Sequence, residues 1–207
     1  MLIGICGKAG SGKDTIGDYL VKEYAFKKIA LADPIKRLVK DVFALDDHTV
    51  YDRVAREQPL QRWPKWSVRT LLQFIGTELF REKIDDAVWV KSLWYKIQDD
   101  KENNYVVTDI RFPNELAYFK ENAKQGEFYC LKVVRHGCAG HVGIKSHPIK
   151  RLFYRLIGKD VRHASEAYDL GGDFQIINNG TYETLYNKVD DIMYALKFER
   201  EIGVADL

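Results

Sequence analysis

Residues 1–16 read MLIGICGKAGSGKDTI: an apolar run, a glycine-rich loop, then the start of an amphipathic helix. Gly7, Gly12 and Lys13 stand at the G-x-x-x-x-G-K spacing of a phosphate-binding loop. Each part has a mechanical job. The glycines let the backbone curl so that successive N–H groups point into one concavity, an anion nest. The helix that follows adds unpaired amides and the positive end of its dipole. Lys13 adds a full charge that reaches outer phosphates. The plain alternative is a glycine-rich turn that binds nothing. Strand, loop, lysine and helix nevertheless occur in the required order, which points to a nucleoside triphosphate held by Gly7, Lys8, Ala9, Gly10, Ser11, Gly12, Lys13, Asp14 and Thr15. One departure stands out. Where a Ser or Thr hydroxyl usually ligates Mg²⁺, this chain has Asp14, with Thr15 next. Asp14 is a hard oxygen donor for Mg²⁺, directly or through water, or else a helix cap favoured by the dipole. Thr15 stays available to an inner phosphate.

The chain has 207 residues, room for one substantial α/β domain, and 46% of them are apolar, enough for a real core. A net charge of +2 gives no support to a generic nucleic-acid or membrane binder. No signal-peptide pattern precedes the first strand, and no apolar run approaches a membrane span; the expected location is the cytoplasm, the host's if the chain is viral. Cys6 and Cys130 fall in strand-like runs and read as buried free thiols. His136, Cys138 and His141 lie close together, but without a fourth ligand or a zinc-type pairing they read as a polar loop.

Outward from the loop the segments alternate. Strand-like runs cover Leu2–Cys6, Phe26–Ala30, Tyr105–Ile110, Phe128–Val134 and Phe174–Ile177. Helical patterns cover 13–24, 34–44, 67–83, 86–98, 114–124, about 145–157, and 181–198. This alternation predicts a five-stranded parallel sheet flanked by helices, with functional groups at the carboxyl ends of the strands. After the second strand, Asp33 suits an N-cap and Pro34 the first helical position, while Lys36 and Arg37 oppose the dipole there and point to an anionic ligand. After the third, Asp109 stands where a Mg²⁺-organising acid belongs in phosphate-loop enzymes, and Arg111 suits bidentate phosphate contact. In 67–83, Leu71, Leu72, Ile75 and Leu79 read as core. Arg69, Gln73, Thr77 and Arg81 lie on another face, and Gly76 hints at a close approach by a ligand or helix. From Lys145 to His163 a basic stretch reads as a mobile lid that neutralises transferred charge, or as a solvated basic helix or polyanion surface. Asn178-Asn179-Gly180-Thr181 makes a turn and helix cap, in a place suited to a purine base.

GKAGSGKDT, ALADPIK, LLQFIGTELFR with DDAVWV, VVTDIRFPNE, RHASE and INNGTYETL together resemble the bacteriophage deoxynucleoside monophosphate kinase family over nearly the whole chain. VVTDIRFPNE and LLQFIGTE are more specific than the phosphate loop itself. The resemblance implies a P-loop kinase fold of one domain, with a helical acceptor-binding insert at about 34–100 and a lid at about 136–165. It implies transfer of the γ-phosphoryl of ATP, with Mg²⁺, to a deoxynucleoside monophosphate, often by a homodimer, and no membrane or nucleic-acid partner. Carried onto this sequence, Lys13, Asp109, Arg111 and Arg135 serve catalysis, with Asp14 and Asp109 toward Mg²⁺. Asp33, Lys36, Arg69, Gln73, Gly76, Thr77, Glu78 and Trp89 face the acceptor, and Asn179 and Gly180 flank adenine. Arg151, Arg155 and Arg162 are lid candidates. Two other readings fit parts of the chain: another small-molecule kinase of the dephospho-coenzyme A kinase kind, and a nucleotide-dependent binding module. The fifth strand ends in Asn178-Asn179-Gly180, not in the Asn-Lys-x-Asp base-reading motif that a GTPase switch would carry there.

Overall fold

Residues 1–138 and 168–203 are described in a computed structural model. The five expected strands form one sheet: β1 (Leu2–Cys6), β2 (Lys27–Ile29), β3 (Tyr105–Ile110), β4 (Phe128–Val134) and β5 (Phe174–Ile177), in the spatial order β2-β3-β1-β4-β5. β1 pairs in parallel with β3 and β4, and β4 with β5. A central parallel strand is covered on both faces, which is why β1 is buried throughout and reads as a continuous apolar run. Between Gly4 and Cys6 the β1–β3 register shifts, so that Thr108 and Asp109 stand opposite Ile5 alone. Bulges of this kind re-aim side chains beside functional sites.

The chain divides into two compact units, Met1–Lys28 with Glu102–Leu207, and Ile29–Lys101. In the first, α1 (Lys13–Tyr24) and α7 (Tyr182–Gly203) cover one sheet face. Ile3, Ile5, Leu131, Val133 and Ile176 meet Ile16 and Leu20 of α1 and Leu185, Val189, Met193 and Leu196 of α7. Burying each such side chain stabilises the fold by roughly 1.5–3 kcal/mol. The stripe Leu185, Val189, Met193, Leu196 fixes α7 to the sheet, as its helical spacing predicts. On strands β1 and β4, Cys6 and Cys130 are buried free thiols with their Sγ atoms 3.7 Å apart. α6 (Pro113–Asn122) follows β3 and starts at Pro113. The expected helix at 145–157 and the lid lie outside the described residues.

The second unit is helical: α2 (Asp33–Val42), α3 (Asp47–Tyr51), a 3₁₀ turn (Ala55–Glu57), α4 (Val68–Gln73), a π-helix (Phe74–Arg81) and α5 (Val88–Asp99). Two expectations are corrected here. Residues 67–83 do not form one α-helix: the ladder widens at Phe74, which leaves Leu79 45% exposed although α-periodicity places it in the core. Asp33 is the first helical residue rather than the cap, because its carboxylate turns back to accept the Ala30 N–H at 3.0 Å. Gly76 does meet a neighbouring helix: a Cβ there would stand 3.0 Å from Ile35 Cδ1. Aromatic pairs Phe43–Trp63, Trp66–Phe74 and Phe80–Trp89, with centroids 5.0, 5.5 and 4.9 Å apart, consolidate the unit.

Candidate phosphate-binding and phosphoryl-transfer site

The loop between β1 and α1 is shaped by backbone conformation. Gly7, Gly10 and Gly12 have φ of +142°, +78° and +104°, a region that penalises any Cβ. Space forbids one as well: at Gly7 a Cβ would lie 2.3 Å from the Val133 carbonyl oxygen, and at Gly12, 2.4 Å from Asn178 Nδ2. Asn178, buried at the end of β5, donates that Nδ2–H to the Ser11 carbonyl at 2.8 Å and so braces the loop. Ser11 Oγ is buried and has no hydrogen-bond partner among the described residues. Lys13 Nζ bridges the loop, donating to the Gly7 and Lys8 carbonyls, both at 2.8 Å. Burial and the Arg111 cation hold its ammonium below the usual lysine range, against the opposing pull of Asp14, Cys6 and Asp109. Such an ammonium gains from any anion delivered to the loop.

Asp14 is exposed at the start of α1, and its Oδ1 accepts the Thr108 hydroxyl at 3.0 Å. Lys28 Nζ lies 3.2 Å from the same oxygen and 2.9 Å from Asp18 Oδ1. Burial pushes the Asp14 carboxyl up, but the Lys28 charge, the Thr108 hydrogen bond and Lys13 outweigh it, and the acid sits below its usual range. No backbone N–H among the described residues donates to this carboxylate, so it works through β2 and β3 rather than as a helix cap. Thr15 is half-buried beside it. Among the described residues no group of three metal-ligating side chains gathers. Magnesium bound with a nucleotide needs only one or two protein carboxylates, the rest of its shell being phosphate and water, and the hard oxygens of Asp14 and Asp109 fit that demand.

β3 ends at a second cluster of charged side chains. Asp109, half-buried, belongs to the bulge, and Arg111 follows the strand, exposed. The turn between them and α6 is fixed by Glu115, a carboxylate buried to 2% exposure whose Oε2 accepts the Arg111 and Phe112 N–H groups at 2.8 and 3.0 Å. Arg135 stands exposed just beyond β4. The structure brings Gly7, Lys8, Ala9 and Lys13 together with Arg111 and Arg135 around one cleft of about 620 Å³. Lys132 and Asp169, paired at 2.9 Å, also line it, as do Tyr168 and Cys138. Among the described residues that line it, cations outnumber the one acid, Asp169, which makes the cleft attractive to polyanions. Asn179 ties the ends of β4 and β5 together: its Oδ1 accepts the His136 N–H at 2.9 Å and its Nδ2 meets His136 Nδ1. Gly180 precedes Thr181, whose hydroxyl accepts the Thr184 N–H at 3.3 Å and caps α7. His141, Arg151, Arg155 and Arg162 lie outside the described residues.

The remaining candidates all belong to the helical unit. Lys36 pairs with Asp33 at 3.5 Å and sits over the Tyr51 ring, which answers its opposition to the helix dipole locally. Arg69 pairs with Glu57 at 2.9 Å. Trp89 is buried, its Nε1 donating to the Gly76 carbonyl at 2.9 Å, so it underpins the π-helix. The side chains of Gln73, Thr77 and Glu78 have no partner among the described residues. In an α-helix Gln73 and Glu78 would point about 140° apart; the i→i+5 pairing of the π-helix sets them about one turn apart on a common face.

Sequence reasoning passed over three residues that the structure makes central, Thr108, Lys28 and Glu115, and read Asn178 as part of a turn without its brace to the Ser11 carbonyl. Only Glu115 had a local signal, standing three residues after Phe112 at the start of a helix, where a carboxylate reaches back to free N–H groups. The contacts of Thr108, Lys28 and Asn178 run between elements far apart in sequence, which no local pattern reveals.

Sheet order, glycine-shaped loop and basic cleft are those of the P-loop kinase class of fold. Shikimate kinase from Aquifex aeolicus aligns with 97% of this chain and 98% of its own at a TM-score of 0.43 and 15% identity. The sequence itself goes further. A family model described as deoxynucleotide monophosphate kinase matches residues 1–58 and 48–126. A putative deoxynucleotide monophosphate kinase of Acanthamoeba polyphaga mimivirus is 30% identical over 201 residues, covering 91% of this chain and 94% of that one. The deoxynucleoside-5′-monophosphate kinase of Escherichia phage T5 is 23% identical over 180 residues, 58% of this chain and 72% of its own. The chain belongs to the deoxynucleotide monophosphate kinase family. No helix among the described residues is long and apolar enough to cross a membrane.

Proposed function

We propose that the chain transfers the γ-phosphoryl of ATP to a deoxynucleoside 5′-monophosphate, releasing ADP and the diphosphate. The observation that carries this reading is the shared cleft: the glycine loop and Lys13 line it together with Arg111 and Arg135. Gly7–Thr15 cradle the ATP phosphates, and Asn179 and Gly180 border the adenine. An oxygen of the acceptor phosphate attacks the γ-phosphorus in line as the bond to the β–γ bridging oxygen breaks, so most of the catalysis is positioning and charge stabilisation. Lys13, Arg111 and Arg135 take up negative charge on the moving phosphoryl group. Asp14 and Asp109 would hold Mg²⁺, which when bound neutralises phosphate charge. The helical unit receives the acceptor through Lys36, Arg69, Gln73, Thr77 and Glu78, with Asp33, Gly76 and Trp89 shaping the frame beneath. The enzyme acts in the cytoplasm, as a homodimer.

The test is ATP-to-ADP turnover with Mg²⁺ across dGMP, dTMP, dCMP, dAMP, their ribose counterparts and dephospho-coenzyme A. Turnover that depends on a deoxynucleotide supports the reading and names the acceptor. Turnover with dephospho-coenzyme A alone replaces it with another small-molecule kinase, and ATP binding without any acceptor turnover replaces it with a binding module.

A further inference from the structure

A phosphate loop of this spacing carries a hydroxyl directly after its lysine, and this chain carries Asp14 there instead. Three elements converge on that carboxylate. From the β3 bulge, Thr108, only 5% exposed, donates its hydroxyl to Asp14 Oδ1 at 3.0 Å. From β2, Lys28 sets its ammonium 3.2 Å from the same oxygen and is itself anchored on Asp18 at 2.9 Å. From α1, Gly17 leaves the room they need: a Cβ there would stand 2.5 Å from Thr108 Cγ2 and 3.5 Å from Lys28 Cε. An ordinary surface ion pair explains Lys28, but not a buried threonine delivered by a bulge to an exposed carboxylate. Both neighbours also act on Oδ1, and Oδ2 has no partner among the described residues.

We propose that Thr108 and Lys28 are positioning residues which grip Asp14 by one oxygen and leave the other for the magnesium ion of the bound nucleotide. This rests on the reading that the loop binds ATP with Mg²⁺. A carboxylate pinned at one oxygen presents the other in a fixed direction, which a cation with near-ideal octahedral demands rewards. Outer groups that orient metal ligands typically carry 10–100-fold in metal affinity.

The test uses the full chain with Mn²⁺ as a paramagnetic probe, followed by EPR in the presence of ADP, beside ADP binding in EDTA. Thr108→Val keeps the β-branched shape and removes the hydroxyl. It is expected to weaken Mn²⁺ uptake about tenfold while leaving metal-free ADP binding unchanged, and to raise the KM for Mg²⁺ but not for the acceptor. Thr108→Ser restores the parent values, and Asp14→Asn loses at least as much as Thr108→Val. Mn²⁺ uptake by Thr108→Val equal to the parent's overturns the proposal. So does a loss of metal-free ADP binding in Thr108→Val that Thr108→Ser leaves unrepaired, since that marks a purely structural role. If the parent itself takes up neither ADP nor Mn²⁺, the ATP reading fails and the proposal with it.

Discussion

Between Gly7 and Lys13 the chain works through its backbone; between Ser67 and Arg81 it works through side chains hung on a helix. In the first stretch three positive φ angles and two steric near-contacts leave almost no freedom of residue type. In the second, Arg69, Gln73, Thr77 and Glu78 are set by a helical frame whose pitch depends on packing elsewhere in the helical unit, with Trp89 held to the Gly76 carbonyl and Ile35 against Gly76. A backbone device tolerates few substitutions and recurs across many chemistries. A side-chain device can drift, which is how one phosphate loop comes to serve many acceptors.

The sharpest way to break this contrast is Lys13→Ala. The variant is expected to lose turnover by about a hundredfold or more with little movement of the urea midpoint, since the side chain is half-buried and bonds only to its own loop. Near-parental turnover would remove Lys13 from the chemistry. Gly7→Ala comes next: forcing a Cβ against the Val133 carbonyl at φ +142° should cost about 1–3 kcal/mol of stability and weaken ADP binding, read by denaturation and titration. Trp89→Phe sharpens the other side of the comparison. Loss of the indole N–H removes a buried bond to the Gly76 carbonyl, at a cost of about 0.5–1.5 kcal/mol, and should raise the acceptor KM while the ATP KM holds. If the ATP KM rose equally, the two stretches would not be separable.

The smallest effect concerns charge within the sheet-bearing unit. Tyr19 and Tyr24 both donate to Asp190, and burial followed by that hydrogen bond pushes the Tyr19 phenol from 10.0 to about 12 and Tyr24 upward as well. A folded-state value raised above the unfolded one favours the neutral phenol. Its contribution is therefore complete below pH 10 and lost as pH climbs through about 12. The difference in urea midpoint between the parent and a Tyr19→Phe, Tyr24→Phe double variant should shrink across that interval, and a constant difference would show that Asp190 does not govern these phenols.

Local patterns revealed what depends on local rules. All five strands stand within a residue of their apolar runs, and Pro113 starts α6 where its fixed φ predicts. α3 went unread although Asp46 caps it by accepting the Thr49 N–H at 2.7 Å, because five residues are too few to show a periodicity. Leu79 was misplaced because 3.6-residue periodicity does not hold inside a π-helix. That Lys13, Arg111 and Arg135 gather around one cleft follows from the spacing of the glycine loop for the lysine and from places just after strands for the two arginines. The grip on Asp14 does not follow in this way, since Thr108 and Lys28 lie 94 and 14 positions away along the chain and are joined to it only by sheet order.

The π-helix has a consequence for how this chain tolerates insertion and deletion. Because an i→i+5 ladder holds one residue more than the α-helical turns it replaces, removing one residue between Gln73 and Glu78 would let the segment close to an α-helix in which those two become i,i+4 neighbours and keep their common face. The stretch therefore absorbs the loss of a residue, and its facing is set by the packing of the flanking turns rather than by its length.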